Sequence, residues 1–289
     1  MQSIIITLTL LICVAYFSLF ERKLLSLSQN RLGPNKVGPL GLLQPLSDAP
    51  KLLSKATYSQ NESWEPFLMP FVAFFVSVLW WIPIPIPFNL WELENSLLIL
   101  ILISSVSTYG VVYCGVLAKS KYSVLGSLRA IVLSISFEFF LSTAVLVLIV
   151  VFSTFNIKVI SLNQGVPHLM SFPAVGLTVW ISFTAECARS PLDLPESESE
   201  LVSGFNVEYG GSRYVLIYLS EGLLLMISSI LMNILFTCKY NPLIIILWIT
   251  VSIILRASVP RMRYDKCMKL GWEFLIPVLL SFMSIHILL

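Results

Sequence analysis

Charged residues are scarce in this sequence. Only 12% of its 289 residues are Asp, Glu, Lys or Arg, whereas a soluble domain has about 25%. So few charges cannot cover the surface of a globular protein in water. Hydrophobic residues make up 57% of the chain and its mean hydropathy is +0.87, which suits a protein that faces lipid. A separate soluble domain is therefore excluded.

Histidine and paired cysteine are scarce as well. The two histidines, His168 and His286, cannot supply the paired axial ligands of a haem-carrying helix bundle. The five cysteines contain no C-x-x-C pair, which argues against an iron–sulfur cluster or a zinc site. There is no glycine-rich nucleotide motif and no nucleophile–base pair. The sequence thus predicts no metal ion, no redox centre and no catalytic residue in this chain.

Apolar stretches account for most of the chain. A membrane-spanning helix needs about 20 mostly apolar residues. We therefore predict an all-α polytopic membrane protein, a single membrane domain over residues 1–289 with about eight transmembrane helices. These spans are expected near residues 3–20, 66–82, 96–117, 129–153, 172–188, 213–236, 243–256 and 272–289.

The basic residues predict the orientation. All 18 Lys and Arg residues except Lys158 and Lys239 lie on one side of the predicted spans. The positive-inside rule places that side in the matrix or the cytoplasm, and both termini on the outer side. The long inner loops are then residues 21–65, 118–128, 187–212 and 257–271.

Three carboxylates lie within the predicted spans. Glu138 and Glu221 are mid-span, and Glu186 closes the fifth span. A charge at a helix centre costs about 2.5–3.5 kcal/mol on insertion scales, so such residues usually face the bundle interior or water. We interpret them as a proton path; interhelical hydrogen bonds with a purely structural role are the alternative. Arg189 would share a helix face with Glu186 if that helix continues.

Two inner loops have distinctive patterns. In the third, we expect Asp193 to cap a helix that begins at Pro195, with an acidic cluster in its first turns, although a solvated acidic loop is the alternative. In the first, apolar residues from Leu42 to Leu53 predict a helix lying in the membrane interface, interrupted by Pro50. The acidic cluster consists of Glu196, Glu198 and Glu200.

Four blocks of residues resemble a known family. The chain contains Arg31-x-Gly33-Pro34-Asn35 after Glu21-Arg22-Lys23, and Ser136-Phe137-Glu138 in the fourth predicted span. It also contains a third block that runs from Ala185-Glu186-x-x-Arg189 to Glu208-Tyr209, and a fourth, Pro260-Arg261-x-Arg263-Tyr264-Asp265. In this order the blocks resemble subunit 1 of the proton-pumping NADH:ubiquinone oxidoreductase.

The resemblance implies a function that the residues alone do not. It implies a ubiquinone tunnel framed by Arg22, Arg31, Glu198, Glu200 and Arg261. It also implies an acidic chain that couples quinone reduction to proton translocation, formed by Glu138, Glu186, Arg189, Asp193, Glu196 and Glu221.

The resemblance also implies where the chain acts. Ubiquinone would be the substrate, while NADH, FMN and iron–sulfur clusters would bind partner subunits. The partners would be membrane lipid, the other membrane-arm subunits and the quinone-module subunits of the peripheral arm, with no nucleic acid. The location would be the mitochondrial inner membrane, with the termini in the intermembrane space.

Two other classes of protein remain as alternatives. A free-standing ion or solute transporter would also need buried acids, but it predicts transport by the isolated chain and symmetry between its halves, and no internal repeat is visible. A structural anchor would explain the inner loops. It predicts that Glu138→Gln leaves turnover unchanged.

Overall fold

The chain is a bundle of helices in a computed structural model that describes residues 2–55, 65–85, 93–164, 167–196, 201–237 and 241–288. Within these ranges there is no β-strand, and the predicted all-α class is confirmed. Short 3-10 turns occupy Pro39–Gly41 and Gly204–Asn206, and a π-helical turn, Leu270–Leu275, joins the last two helices. The helices are α1 (Gln2–Ser28), α2 (Gln44–Ser54), α3 (Glu65–Leu79), α4 (Ser96–Leu117), α5 (Lys121–Phe152), α6 (Ile157–Leu162), α7 (His168–Ser171), α8 (Pro173–Glu186), α9 (Ser212–Phe236), α10 (Pro242–Ser258), α11 (Tyr264–Lys269) and α12 (Ile276–Leu288).

The long helices have the length and composition of membrane spans. Among the described residues, α4, α5, α9 and the stretch 264–287 are long and apolar enough to cross a membrane, and α10 and residues 68–79 of α3 are shorter apolar helices. Every apolar stretch that the sequence predicts as a span lies in one of these helices or in α1 or α8. These features are those of an integral membrane protein.

Several helix boundaries differ from the prediction. α1 continues to Ser28, because a buried and paired acid at position 21 does not end a helix. α5 begins at Lys121, where the Ser120 hydroxyl accepts a 3.2 Å hydrogen bond from the Ser123 backbone N–H, so most of the expected loop 118–128 is helical. The expected interruption at Pro50 was wrong, since α2 runs through it and loses only one backbone hydrogen bond on an exposed helix.

The connection between α5 and α8 contains two short helices that the sequence pattern did not predict. α6 begins after Asn156, whose side chain accepts a 2.9 Å hydrogen bond from the Lys158 backbone N–H. α7 follows and places His168 in a buried position beside the Phe152 ring, with 4.4 Å between ring centroids. Such short helices carry too few residues for a periodic pattern to reveal them.

Helix α9 lies at the centre of the bundle. It packs against α1, α3, α8 and α10, while α5 packs against α4, α8 and α12. Most of the α9 side chains from Ser220 to Phe236 are buried. Outward-facing residues are apolar too, as Leu102 of α4 and Ile135 of α5 illustrate, both largely exposed. An apolar interior and an apolar exterior suit a bundle surrounded by lipid.

The loop between α8 and α9 is fixed to the bundle by close backbone contacts. A Cβ added at Gly126 of α5 would lie 2.8 Å from the backbone nitrogen of Phe205, so α5 and this loop touch directly. The Tyr209 hydroxyl donates a 2.8 Å hydrogen bond to the Cys114 carbonyl at the end of α4. These contacts hold the loop against the end of the bundle at which α4 ends and α5 begins.

Candidate functional site

Arg189 lies between two carboxylates of different helices. α8 ends at Glu186, and Ala188 takes a left-handed conformation (φ 47°), so the chain turns away from the helix axis. The condition under which Arg189 would share a helix face with Glu186, a helix that continues past Glu186, is therefore not met. Instead, its Nη1 lies 3.6 Å from Glu21 Oε1 of α1, and its Nη2 lies 3.5 Å from Glu221 Oε2 of α9.

The surroundings of Arg189 keep its charge but leave it loosely bound. The residue is only 8% exposed, and its guanidinium carbon lies 5.4 Å from the centre of the Tyr218 ring. Burial alone would lower the pKa of the guanidinium, but the carboxylates of Glu221 and Glu21 outweigh it and raise the pKa. Its Nε and Nη2 atoms form no hydrogen bond with the described residues. Arg189 is thus a permanent positive charge shared by two acids.

Glu21 is a buried acid that sequence reasoning did not assign to the site. It is 3% exposed, and Arg256 of α10 donates a hydrogen bond to the same Oε1 atom that faces Arg189. The sequence signal was present, because Glu21 follows the first apolar stretch directly. Because the predicted span ends at residue 20, the sequence prediction places Glu21 in the first inner loop, 21–65.

The acidic loop is joined to neighbouring segments by polar side chains. Arg261 Nη2 donates a 2.8 Å hydrogen bond to Asp193 Oδ2, and Asn206 Nδ2 donates a 2.5 Å hydrogen bond to Glu196 Oε1. Glu196 is also close enough to interact electrostatically with Arg189 and Glu221. Residues 194–196 form a turn, and residues 197–200, over which the helix expected from Pro195 would continue, lie outside the described residues. The predicted tunnel residues Glu198 and Glu200 lie outside the described residues.

The protonation of Asp193 is shifted by its position. Burial and the neighbouring Glu196 raise the pKa of this carboxyl to about 6, although the Arg261 guanidinium and the Glu196 backbone N–H oppose the change. The ordinary pKa is 3.8. Asp193 is therefore able to gain or lose a proton close to neutral pH.

Glu138 and Glu186 form a second acidic group on the other side of α8. The two carboxylates interact electrostatically between α5 and α8. One carboxylate oxygen of Glu186 is fully buried without a hydrogen-bond partner among the described residues. Glu186 lines a partly open cavity together with Ser107, Thr108 and Ser134, and the cavity has about 60 Å³ of space for water-sized molecules. A cavity with four polar groups has room and partners for water.

A cleft opens between α1, α8, α9 and α10. It contains about 550 Å³ of empty space, part of it open to the surroundings. Its walls are mostly apolar, with Trp180 and Trp248 among them, and hydroxyls from Ser228 and Ser252. Three charged residues border it: Glu21, Arg189 and Arg256. The cleft therefore combines an apolar volume with two guanidinium groups, the combination that suits an apolar ligand with a polar end.

Of the other predicted tunnel residues, Arg22 lies near the C-terminal end of α1 and Arg31 lies in the loop that follows α1. Arg22 Nη1 forms a 2.9 Å ion pair with Asp48 of α2. Lys23 donates a 2.5 Å hydrogen bond to the Leu40 carbonyl, which further ties α1 to the loop before α2. Arg31 is exposed and forms no ion pair with the described residues.

Nearly the whole chain is similar in sequence to known proteins. The sequence model of a family described as NADH dehydrogenase matches residues 1–287. The chain belongs to the NADH dehydrogenase family. Its relatives in this family include NADH-ubiquinone oxidoreductase chain 1 of Hyaloraphidium curvatum, which is 39% identical over 99% of this chain and 97% of the relative. Chain 1 of Branchiostoma lanceolatum is 37% identical over 96% and 91%, and an NADH-quinone oxidoreductase subunit of Rickettsia canadensis is 35% identical over 97% and 90%.

In this member of the NADH dehydrogenase family, the fold brings together most of the residues singled out from the sequence. Arg189, Glu196 and Glu221 form one group with Glu21, and Asp193 joins Glu196 to Arg261. Glu138 and Glu186 form the second group. Among the described residues, no set of three or more His, Cys, Asp or Glu side chains is placed to hold a metal ion.

Proposed function

We propose that this chain forms the quinone-binding chamber in the membrane arm of a proton-pumping NADH:ubiquinone oxidoreductase. Relatives whose names give that enzyme support its role as a subunit, with ubiquinone as the substrate of the complex. Electrons would come from NADH through FMN and iron–sulfur clusters in partner subunits. This chain would bind the quinone, orient it and supply a route for protons.

The cleft between α1, α8, α9 and α10 carries this proposal. Ubiquinone has an apolar tail and a headgroup with two carbonyl oxygens, so it needs an apolar volume next to hydrogen-bond donors. The cleft offers Trp180 and Trp248 for the first requirement and the guanidinium groups of Arg189 and Arg256 for the second. Reduction places negative charge on the headgroup oxygens, which a fixed guanidinium stabilises. A tunnel lined further by Arg22, Arg31, Arg261, Glu198 and Glu200 would guide the quinone toward the peripheral arm.

The acidic residues provide the second part of the proposal, a proton path. Formation of a quinol consumes two protons, and a new charge at the headgroup changes the protonation of nearby carboxyls. Arg189 borders the cleft and also contacts Glu221, so it links the headgroup electrostatically to the acids. From Glu221 the path would include Glu196 and Asp193 on one side. Glu186 and Glu138, beside a cavity with room for water, would continue it.

The proposed orientation follows from the charges of the connections. We propose that eight helices cross the mitochondrial inner membrane, with both termini in the intermembrane space and the basic loops in the matrix. The matrix loops would contact the quinone-module subunits of the peripheral arm, and the outer faces of the helices would contact lipid and the other membrane-arm subunits. α2 would lie in the membrane interface beside the entrance of the chamber.

The test is to fill the cleft in the intact complex. Ser252→Trp places an indole in the cleft from α10, and Ile254→Trp places the same group on an exposed position of the same helix. We expect Ser252→Trp to lower kcat/KM for ubiquinone by about tenfold or more, because the indole would occupy the space of the quinone and keep it from its reactive position. Ile254→Trp should leave it unchanged. Equal rates in both variants and the wild type would contradict a quinone site in this cleft.

A further inference from the structure

Glu21 connects the quinone cleft with the acidic residues, although the proton path as proposed above does not use it. One oxygen, Oε1, accepts a hydrogen bond from Arg256 and lies 3.6 Å from Arg189 Nη1. We propose that Glu21 is a positioning residue that holds the Arg189 guanidinium midway between the cleft and Glu221. The inference rests on the proposed function of the cleft as the quinone site.

The distances indicate that Arg189 is shared and not captured by either acid. Its two contacts, at 3.6 Å to Glu21 and 3.5 Å to Glu221, are nearly equal. Both exceed the roughly 2.7–3.2 Å of a direct N–H···O hydrogen bond. A small movement of the guanidinium in one direction would let it form a hydrogen bond with Glu21, and a small movement in the other direction would let it form one with Glu221. A small change in either carboxylate is therefore enough to move Arg189.

Arg256 explains why Glu21 stays where it is. Its hydrogen bond to Glu21 connects α1 to α10, two helices that also pack against each other. Because this hydrogen bond is charge-assisted and Glu21 is buried, the carboxylate has a fixed location. Glu221 is fixed separately, within the buried centre of α9. The two acids are thus anchored by different helices, and Arg189, which follows the end of α8, is the movable member.

Loss of the Glu21 charge should therefore displace Arg189 toward Glu221. The guanidinium would then leave the wall of the cleft, where it stabilises charge on the reduced headgroup. The apolar walls that bind the quinone tail would remain intact. We expect a change in the rate of reduction and not in the binding of the quinone, that is, a lower kcat with a nearly unchanged KM. A misplacement of about 1 Å costs up to a hundredfold in rate, so a decrease in kcat of about tenfold is expected.

The experiment compares four substitutions in the intact complex in its native membrane. Glu21→Gln removes the charge, Glu21→Asp keeps it one methylene group further away, and Glu221→Gln removes the second partner of Arg189. Asp265→Asn is the matched control, because Asp265 is an exposed acid in an exposed ion pair with Arg263. Assembly is measured as NADH oxidation with a water-soluble electron acceptor, and kcat and KM are measured with ubiquinone.

Four results are expected together. Glu21→Gln lowers kcat by about tenfold with KM within about twofold of the wild type, Glu21→Asp gives an intermediate kcat, and Asp265→Asn changes neither. Glu221→Gln has a smaller effect on kcat in the Glu21→Gln background than in the wild type, because both act through Arg189. Additive effects of Glu21→Gln and Glu221→Gln on kcat would overturn the inference. A wild-type kcat in Glu21→Asp would also overturn it, and this variant remains informative if Glu21→Gln does not assemble.

Two further measurements separate this inference from others. If Glu21→Gln couples with Arg256→Gln but not with Glu221→Gln, Glu21 only anchors Arg256 and the inference is overturned. If Ser252→Trp leaves kcat/KM for ubiquinone unchanged, the cleft is not the quinone site and the proposed function fails instead, whatever the Glu21 variants show.

Discussion

Arg261 and Asp193 are joined by a 2.8 Å hydrogen bond, although 68 residues separate them in the sequence. The bond connects the loop before α11 with the acidic loop after α8. A second contact reinforces it, since the Met262 backbone N–H donates a 3.0 Å hydrogen bond to the Pro191 carbonyl. The two loops are thus held as one unit, and the charge of Asp193 depends on a residue of the other loop.

The first prediction concerns this pair. The Arg261 guanidinium opposes the upward shift that burial and Glu196 impose on the pKa of Asp193, which is about 6. Arg261→Gln removes the opposing charge, so the pKa should rise further, by about one unit or more. Asp193 then becomes neutral at a higher pH. We expect the acidic limb of the pH–rate profile of quinone reduction to move to higher pH, measured between about pH 5 and 9.

The control for this prediction is Arg263→Gln. Arg263 is a neighbouring arginine whose ion pair with Asp265 is largely exposed, so its loss should leave the acidic limb in place. The explanation is wrong if Arg261→Gln and Arg263→Gln give the same profile, or if the acidic limb of Arg261→Gln moves to lower pH.

The second prediction concerns the backbone of the acidic loop. Gly204 has φ +57°, and a Cβ at this position would lie 1.7 Å from the Pro195 carbonyl oxygen. Gly204→Ala must therefore displace the segment that carries Asp193 and Glu196. We expect a strong loss of assembled, quinone-reducing complex on native gels. Gly210→Ala is the matched control, because its Cβ would meet no atom within 4 Å, and it should assemble normally. Normal activity in Gly204→Ala would show that the loop can move without loss.

The helices were predictable from the sequence because their signal is local. Long apolar runs identify α4, α5, α9 and α10 whatever their neighbours are. Lipid offers no hydrogen bonds to the backbone, so an apolar segment in the membrane is expected to form a helix, in which the backbone groups pair with one another. The ends were less predictable. α1 runs past Glu21 because Arg256, distant in sequence, compensates its charge. α2 continues through Pro50, although the proline lacks the backbone N–H and so costs the helix one hydrogen bond.

The site was predictable in its residue types but not in its pairs. Buried acids such as Glu221 stand out in an apolar segment, and the family pattern indicated Arg189 and Asp193. Their partners depend on helix packing, which a single sequence does not encode locally. The positive φ of Ala188 turned Arg189 away from Glu186, and only the packing of α1 against α9 brought Glu21 into reach.

The third prediction tests whether α2 lies in the membrane interface. Its residues Leu46 and Leu53 lie on one face, and Leu46 is 63% exposed, which is costly in water but favourable in lipid. Lys51 lies on another side of the helix. The reagent is a charged, membrane-impermeant maleimide, applied to membrane fragments so that it reaches both faces of the membrane. We expect Lys51→Cys to react with it rapidly, and Leu46→Cys to react much more slowly. Equal rates would mean that the apolar face of α2 is covered neither by lipid nor by a partner subunit.

The fourth prediction concerns Glu186. One buried carboxylate oxygen of Glu186 has no hydrogen-bond partner among the described residues. Glu186 also lines a cavity together with three residues that carry hydroxyl groups. A carboxyl group that exchanges protons with water needs such a free oxygen and such a cavity. Glu186→Gln keeps the shape of the side chain but removes the exchangeable proton. We expect proton translocation to fall by about a hundredfold or more, since a positioned side chain that transfers protons contributes about 10²–10⁴-fold in rate. The measurement is the response of a pH-sensitive dye in vesicles that oxidise NADH.

The control for Glu186→Gln must separate proton transfer from packing. Glu273→Gln makes the same chemical change at an exposed position before α12, and it should pump normally. A purely structural Glu186 would affect assembly on native gels and not pumping per assembled complex. If the assembled Glu186→Gln complex pumps and reduces quinone at the rates of Glu273→Gln, Glu186 is no part of the proton path. The route from Glu221 would then have to leave the bundle through Glu196 and Asp193, which makes the Arg261→Gln profile the deciding measurement.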